Sequence, residues 1–237
     1  MLKTLGSFHI RNSTLSSRLG YANTWPRNHE RTARANCKLP RDESKLSEVV
    51  IVTGTPGTGK TTFSKRLAGK LGADYISLAE YVSKHRLFLG FDRERRSKII
   101  DVAKTRASLN NMVSHTRGPL VIDTHVADGI LPKKTVRQVF VLRCHPRILE
   151  ARLVAKGWKA AKVRENVLTE VLDSCLILAV KYYGWRKVAQ LDTSRAGVGR
   201  CIALAKRALG RKPPIGRIAV DWLTKLEKEG SLERYLR

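Results

Sequence analysis

Acidic side chains are scarce in this chain. Its 237 residues include 20 Asp and Glu against 46 Lys and Arg, which gives a formal net charge of +26. Such an excess repels itself unless a polyanion balances it, so the composition favours a nucleic acid, a nucleotide or an acidic membrane surface as partner. A generally basic surface without a specific partner is the alternative.

Cysteines and long apolar runs are also few. The four cysteines lie far apart without a CxxC pair, which argues against a zinc knuckle and a dense disulfide framework; they are Cys37, Cys144, Cys175 and Cys201. No apolar run reaches the roughly 18 residues that a membrane span needs. We therefore expect a soluble globular protein with no membrane partner, in a reducing compartment: the cytoplasm, or the nucleus in a eukaryote.

Residues 1–47 differ in composition from the rest. The first 41 residues hold eight Lys and Arg against one acid, Glu30, with weak apolar periodicity, which predicts a basic, disordered arm. The beginning is also typical of a mitochondrial presequence, because it is basic, serine-rich and free of acids. A start codon assigned too far upstream is the third interpretation, and the sequence leaves all three open.

Residues 48–210 alternate short apolar runs with helical patterns, which predicts one α/β domain with a doubly wound sheet. Continuous apolar runs are typical of strands buried on both faces of a parallel sheet. Strands are predicted at Val49–Thr53, Tyr75–Leu78, Leu120–Ile122, Val139–Leu142 and Val188–Leu191, and helices at Thr61–Leu71, Ile99–Met112, Lys159–Tyr183 and Val198–Leu209.

Residues 211–237 form a C-terminal extension that begins with two prolines. Ile218, Trp222 and Leu226 recur every fourth residue, which predicts an amphipathic helix. Docking onto the domain is the simpler interpretation of its apolar face, and binding a partner is the alternative.

The stretch GTPGTGKT (54–61) matches the pattern GxxxxGK[ST], and it lies between a predicted strand and a predicted helix. Glycines such as Gly57 and Gly59 let the backbone wrap a phosphate chain, and the helix adds its positive end. Lys60 supplies a charge for the β and γ phosphates, and Thr61 a hydroxyl for Mg²⁺. Thr62 is a further candidate phosphate contact. Nucleoside triphosphate binding is therefore predicted.

The sequence argues against two classes of phosphate-loop protein. An NKxD-type base-recognition motif is missing, which argues against guanine-nucleotide switches, and the chain is too short for a large motor ATPase. Small kinases remain, and these need an acceptor site and a basic lid. We expect the acceptor at about 77–98, which contains His85, Arg86, Arg93, Arg95 and Arg96. The lid is expected at about 152–164, which contains Arg152, Lys156, Lys159, Lys162 and Arg164.

Four segments carry a more specific resemblance: GTPGTGKTT, YISLAEYV, VIDTHVADG followed by VFVLRCHPRILEARLVAKGW, and QLDTS. With this spacing, residues 48–210 resemble the archaeal and eukaryotic nuclear adenylate kinases of the CINAP type. The resemblance implies a P-loop nucleoside-monophosphate kinase fold, with a five-stranded parallel sheet, helices on both faces and a short lid. It also implies adenylate kinase and ATPase activities, and a role in rRNA processing and small-subunit maturation through a small-subunit ribosomal protein.

The Asp-x-His motif of that family falls on Asp123 and His125. The resemblance implies that Asp123 holds Mg²⁺ through water and that His125 contributes to hydrolysis, whereas a lone histidine more often makes a structural hydrogen bond. Lys156 stands where the family often has an arginine, so it keeps the charge without bidentate geometry. Arg195 stands where the family has a basic residue near the adenine, and Glu80 takes the place of the family's strand-two carboxylate.

Three functional hypotheses follow. The first is Mg²⁺-dependent transfer of a phosphoryl group from ATP to AMP or another nucleoside monophosphate. The second is an ATP-driven assembly factor that binds a ribosomal protein or pre-rRNA, with secondary kinase activity. The third is a kinase for a small metabolite such as shikimate or dephospho-coenzyme A, because a phosphate loop alone does not select the acceptor.

Overall fold

A computed structural model describes residues 4–5, 8–10, 48–92, 97–125, 129–210 and 220–236. The strands are β1 (Thr4–Leu5), β2 (Phe8–Ile10), β3 (Val49–Gly54), β4 (Asp74–Ser77), β5 (Phe88–Asp92), β6 (Ser97–Ile100), β7 (Leu120–Asp123), β8 (Val136–Arg143) and β9 (Val188–Asp192). The helices are α1 (Lys60–Leu71), α2 (Leu78–Lys84), α3 (Val102–His115), α4 (Pro146–Ala155), α5 (Ala160–Val171), α6 (Ser174–Tyr183), α7 (Val198–Gly210), α8 (Trp222–Lys228) and α9 (Glu233–Leu236). Within these ranges, no helix combines the length and the apolar character that crossing a bilayer requires.

Five strands form a parallel sheet in the order β4-β7-β3-β8-β9, which confirms the predicted sheet. The strand before the phosphate loop, β3, is central, with β7 on one side and β8 on the other. All five strands end at the same edge, so the loops that follow them share one surface. Ligands of open parallel sheets bind at such an edge.

The two faces of the sheet are buried under different helices. Val49 and Ile51 of β3 join a core with α2, α3 and α6, whereas Val50 and Val52 join a core with α1 and α7. This alternation follows from the two-residue period of a strand. Burial on both faces explains why these strands are continuous apolar runs in the sequence.

A third core lies under the C-terminal extension. Leu226 of α8 and Tyr235 of α9 pack with Leu149 and Leu153 of α4 and with Val167 of α5. The predicted amphipathic helix is present from Trp222, and Ile218 lies outside the described residues.

The prediction of one helix over Lys159–Tyr183 is wrong. Two helices, α5 and α6, are separated at Asp173, whose φ of 53° lies in the left-handed region. The Asp173 carboxylate accepts a hydrogen bond from Arg143 Nη2 at the end of β8. The side chain of Arg143, 30 positions earlier in the sequence, therefore helps to stabilise the break between the two helices.

Two other predicted bounds are wrong. Leu78 begins α2 rather than ending a strand, because the Ser77 hydroxyl accepts from the Glu80 N–H at 3.4 Å and caps the helix. The helix predicted over Ile99–Met112 begins only at Val102, after Asp101 caps it through the Lys104 N–H at 3.0 Å.

The residues before α3 form a β-hairpin, in which β5 and β6 pair antiparallel in the predicted acceptor region. Residues 93–96 at its tip, including Arg93, Arg95 and Arg96, lie outside the described residues. On the other side of β6, the short strand β2 pairs parallel and continues to β1. Apart from these five strand residues, the predicted arm over residues 1–47 lies outside the described part of the chain.

Candidate active site

The phosphate loop lies between β3 and α1, as the sequence predicts. Gly54, Gly57 and Gly59 have φ values of 141°, 94° and 94°, which L side chains rarely adopt. At Gly54 a Cβ would also stand 2.4 Å from the carbonyl oxygen of Leu142 on β8. The loop backbone can pass this close to the sheet only because a glycine occupies that position.

The carbonyl of Thr55 organises the loop from inside. It accepts hydrogen bonds from the Thr58 N–H at 3.2 Å, the Thr58 hydroxyl at 2.8 Å and Lys60 Nζ at 3.1 Å. Burial lowers the pKa of Lys60 below its ordinary value, and the negative charge of Asp123 offsets part of this effect. Thr61 and Thr62 follow in the first turn of α1 with exposed side chains, so both are accessible to a ligand.

Asp123 ends β7 and lies beside the phosphate loop, because it pairs in register with Val52 of β3. Its Oδ2 accepts from the Thr61 hydroxyl at 2.8 Å and from the Tyr75 hydroxyl at 3.4 Å. Burial, followed by the charges of Asp123 and Glu80, raises the pKa of Tyr75 to about 12. The phenol therefore remains a neutral donor to the carboxylate.

Thr61 and Asp123 fit a magnesium ion. A hydroxyl and a carboxylate are hard oxygen donors, and Mg²⁺ in phosphotransfer sites is typically held by one or two carboxylates with substrate phosphates and water. The described residues contain no group of three or more His, Cys, Asp or Glu that could hold a metal ion by themselves. The donor set thus suits a cation shared with a phosphate chain.

His125 is half-buried, two residues beyond the end of β7. Burial, followed by the charges of Lys60 and Lys162, lowers its pKa to about 3. The imidazole is therefore neutral at neutral pH in this environment. A triphosphate placed beside it would raise this pKa, because negative charge favours the protonated form.

The predicted lid residues have different environments. Lys156 directly follows α4 and has an exposed side chain. Its positive charge lowers the pKa of Lys60, although the burial of Lys60 is the larger cause. Lys162 lies near His125 and contacts Glu165 at 3.8 Å. Lys159 precedes α5 and Arg164 lies on it, both exposed.

Arg152 differs from the other predicted lid residues. It is half-buried in α4, where it donates to Cys144 Sγ at 3.3 Å and to the Thr193 carbonyl at 2.8 Å. Two partners on other elements thus hold this side chain in place.

A cavity of about 730 Å³ lies beside the loop that follows β9, and exposed Arg195 lines it. Thr193 connects this loop to the phosphate loop, because its hydroxyl donates to the Thr58 carbonyl at 2.9 Å. Lys225 and Glu229 of the C-terminal extension also line this cavity. This volume lies within the usual range of small-molecule sites.

The predicted acceptor region is in part described. Glu80 lies exposed in the first turn of α2, on the side of Asp123 away from β3. His85 and Arg86 are exposed after α2, and the His85 ring packs against Tyr81 with centroids 4.4 Å apart.

Sequence reasoning missed a buried polar network under the phosphate loop. Glu170 has only 2% of its surface exposed, and it accepts from the Thr55 hydroxyl, from Arg143 and from Trp222. A signal was present: Val163, Val167 and Val171 recur every fourth residue, so Glu170 lies beside an apolar stripe of the helix. A carboxylate there requires partners, since a buried unpaired charge is very costly.

The fold and this loop together define a P-loop protein with the nucleoside-monophosphate kinase fold. The profile of the family described as "AAA domain" matches residues 50–173. Proteins named "Putative adenylate kinase" from Methanocaldococcus jannaschii and Natronomonas pharaonis are 33% and 35% identical to the chain over 176 and 171 residues. These alignments span 74% and 71% of this chain, and 93% and 95% of the two relatives.

A gluconokinase from Sinorhizobium meliloti 1021 is similar in structure, with a TM-score of 0.46 and 15% sequence identity, over 71% of this chain and 95% of that chain. The sequence relationships are the stronger finding. The chain belongs to the family of the two archaeal proteins, within the P-loop kinases.

Proposed function

We propose that the protein is a nucleoside-monophosphate kinase that uses ATP, with AMP as the first candidate acceptor: ATP + AMP = 2 ADP. One observation carries the proposal. The Thr61 hydroxyl donates to Asp123 at 2.8 Å directly after a glycine-rich loop, in a chain related to proteins named as adenylate kinases. This arrangement supports a triphosphate with its cation at one place on the sheet edge.

In the proposed reaction an oxygen of the acceptor phosphate forms a bond to the γ-phosphorus of ATP. The bond from that phosphorus to the β,γ-bridging oxygen breaks, and ADP leaves. Lys60 and the loop N–H groups stabilise charge on the phosphates, and exposed Lys156 lies where it can neutralise more. Mg²⁺ held at Thr61 and Asp123 would supply Lewis-acid stabilisation of the phosphate oxygens.

The cavity lined by Arg195, Lys225 and Glu229 is the proposed site of the ATP nucleoside, because the Thr193 hydroxyl links its wall to the phosphate loop. Lys225→Ala is expected to weaken ATP about threefold or more, an effect of the size of one hydrogen bond, without changing the affinity for tripolyphosphate. Lys206→Ala, an exposed lysine on α7, is the matched control. Equal loss of both ligands would contradict this placement.

A coupled assay of ADP formation with AMP, CMP, GMP and UMP tests the kinase activity. Lys60→Met is expected to reduce turnover by about 100-fold or more, as for other catalytic charge-stabilising groups. Lys70→Met, an exposed position in the last turn of the same helix, should behave like the wild type. Shikimate and dephospho-coenzyme A belong in the same screen. Turnover with one of them, and none with any monophosphate, would replace this proposal by the metabolite kinase.

ATP hydrolysis is proposed as a second activity, with His125 as the residue that contributes to it. The neutral imidazole lies near Lys60, where a triphosphate would raise its pKa toward a useful range for a base. His125→Ala is expected to reduce hydrolysis without AMP while leaving ATP affinity largely unchanged. Full hydrolysis in this variant would assign His125 a structural role.

A role in small ribosomal subunit maturation is the second candidate function, and the net charge of +26 favours it. In this view, which the CINAP-type resemblance suggests, nucleotide state controls binding to a ribosomal protein or pre-rRNA in the cytoplasm or nucleus. Affinity capture with wild type and Lys60→Ala is the test. Retention of small-subunit components that differs between the two supports it, and the absence of such components from both would refute it.

A further inference from the structure

The carboxylate of Glu170 joins the phosphate loop to the C-terminal extension. Its Oε2 accepts from the Thr55 hydroxyl at 2.6 Å, and its Oε1 accepts from Trp222 Nε1 at 2.9 Å. All three side chains are buried, with 0% of Thr55 and 2% of both Glu170 and Trp222 exposed. A single carboxylate therefore lies between the first residue of α8 and the phosphate loop.

Two further donors hold Glu170 in this orientation. Arg143 Nε and the Cys144 N–H donate to Oε1 at 2.8 Å and 3.0 Å. Arg143 is the last residue of β8 and Cys144 follows it, so these bonds attach the carboxylate to the central sheet. Because hydrogen bonds to a buried charge are stronger than neutral ones, the whole cluster acts as a rigid support.

Thr55 transmits this support to the phosphate-binding part of the loop. Its hydroxyl has one proton to donate, and it donates to Glu170. Its carbonyl accepts from Thr58 and from Lys60 Nζ. The orientation of the Thr55 peptide therefore affects both the loop turn and the lysine that would meet the phosphates.

We propose that Trp222 is a positioning residue for the phosphate loop, acting through Glu170 on Thr55. The inference deepens the proposed function and rests on triphosphate binding at this loop. Trp222 lies outside the segment 50–173 that matches the family profile. Its ring packs edge-on against His145, with centroids 5.2 Å apart, and its Nε1 donates to Glu170 at 2.9 Å, so two contacts fix the orientation of the indole.

Removing the indole N–H should loosen the loop without removing any group that touches a ligand. Trp222→Phe is expected to raise the dissociation constants of both ATP and tripolyphosphate about fivefold, less than the full effect of one hydrogen bond to a charged group, because this bond acts on the ligand only through the loop. Leu226→Ala is the matched control, because it creates a cavity in the same helix without touching Glu170. It should lower the unfolding temperature more than Trp222→Phe and leave both affinities unchanged.

Calorimetric titration of the full chain, well below every variant's unfolding temperature, separates positioning from stability. Wild-type affinity in Trp222→Phe would overturn the inference and leave the proposed function intact. The same loss in Leu226→Ala as in Trp222→Phe would also overturn it, because general destabilisation would then be sufficient. If the wild type binds neither ligand, the inference and the proposed function fail together.

Thr55 provides an independent test if Trp222→Phe fails to fold. Thr55→Val removes the hydroxyl with little change of shape and should weaken tripolyphosphate about fivefold, whereas Thr55→Ser should retain wild-type affinity. In the double variant of Trp222→Phe and Thr55→Val, the two effects should combine less than additively, because both act through Glu170. Wild-type affinity in Thr55→Val, or full additivity, would contradict the inference.

Discussion

Replacing Glu170 by glutamine is expected to lower the free energy of unfolding by about 2–3 kcal/mol. Glutamine has nearly the same shape, and its oxygen can accept from Arg143, Cys144 and Trp222 as Oε1 does now. Its amide would face Thr55, whose hydroxyl can rotate and accept instead. The substitution therefore removes the charge while leaving Arg143, Cys144 and Trp222 with an acceptor.

The magnitude follows from the number of bonds that lose their charge. A hydrogen bond to a charged group contributes about 1.5–3 kcal/mol and a neutral one about 1 kcal/mol, so the three bonds that become neutral, with Thr55, Cys144 and Trp222, lose about 1.5–6 kcal/mol in all. The expected loss of about 2–3 kcal/mol lies at the low end of this range, below the roughly 3–5 kcal/mol of a broken buried ion pair. The reason is that Arg143 keeps Asp173, the Glu170 carbonyl and Gln190 as partners. Burial acts to lower the pKa of Arg143, but Glu170 and Asp173 raise it overall.

Urea unfolding followed by tryptophan fluorescence measures this loss, provided that the denaturant slope is unchanged. Glu165→Gln is the matched control on the same helix, because the Glu165 side chain is partly exposed and its partner Lys162 lies 3.8 Å away. It should change stability by less than about 0.5 kcal/mol. Glu170→Leu, which offers no acceptor to Thr55, Cys144 and Trp222, should cost more than Glu170→Gln. A change below about 0.5 kcal/mol in Glu170→Gln, or equal losses in Glu170→Gln and Glu170→Leu, would refute this reasoning.

Two further predictions concern the loop and its neighbouring histidine. Gly59→Ala should cost about 1–2 kcal/mol of stability for its positive φ alone, since nothing lies within 4 Å of a Cβ there. Gly54→Ala should cost more in the same urea experiment because its Cβ would meet the Leu142 carbonyl; the reverse order would contradict the structure. The pKa of His125 is about 3 in the folded state, against about 6.5 in the unfolded state. Between these two pH values the unfolded state binds more protons than the folded state. Stability should therefore fall as the pH falls below about 6.5. His125→Gln should flatten this slope by at most about 1.4 kcal/mol per pH unit, and a slope equal to that of the wild type would exclude this reasoning.

The strands and the phosphate loop could be predicted because their signals are local. Val49–Val52 is apolar without interruption because both faces of β3 are covered, and the glycine-rich loop begins two residues later at Gly54. Asp123 could be placed near Thr61 because parallel strands end at one edge, and the 2.8 Å hydrogen bond between them agrees with that expectation. The structure thus places both predicted magnesium ligands together, while their role remains a prediction.

The missed features depend on partners far away in the sequence. The residues Ile99 and Ile100 resemble the start of a helix, but they pair with β5 as strand β6. The left-handed Asp173 interrupts a helical pattern that continues on both sides, and its bond to Arg143 depends on the end of β8. Local propensity is a weak prior where tertiary contacts of this kind compete with it.

The C-terminal extension shows that the end of the segment matched by a family profile need not be a boundary in physical dependence. The resemblance covers residues 48–210 and the family profile ends at residue 173, so both leave Trp222 outside. Yet Trp222 donates to Glu170, which accepts from Thr55 in the phosphate loop. A buried carboxylate depends on its hydrogen-bond donors. Helix α8 therefore supplies one donor to a network that also includes the phosphate loop. The extension is therefore two hydrogen bonds away from the proposed phosphate site.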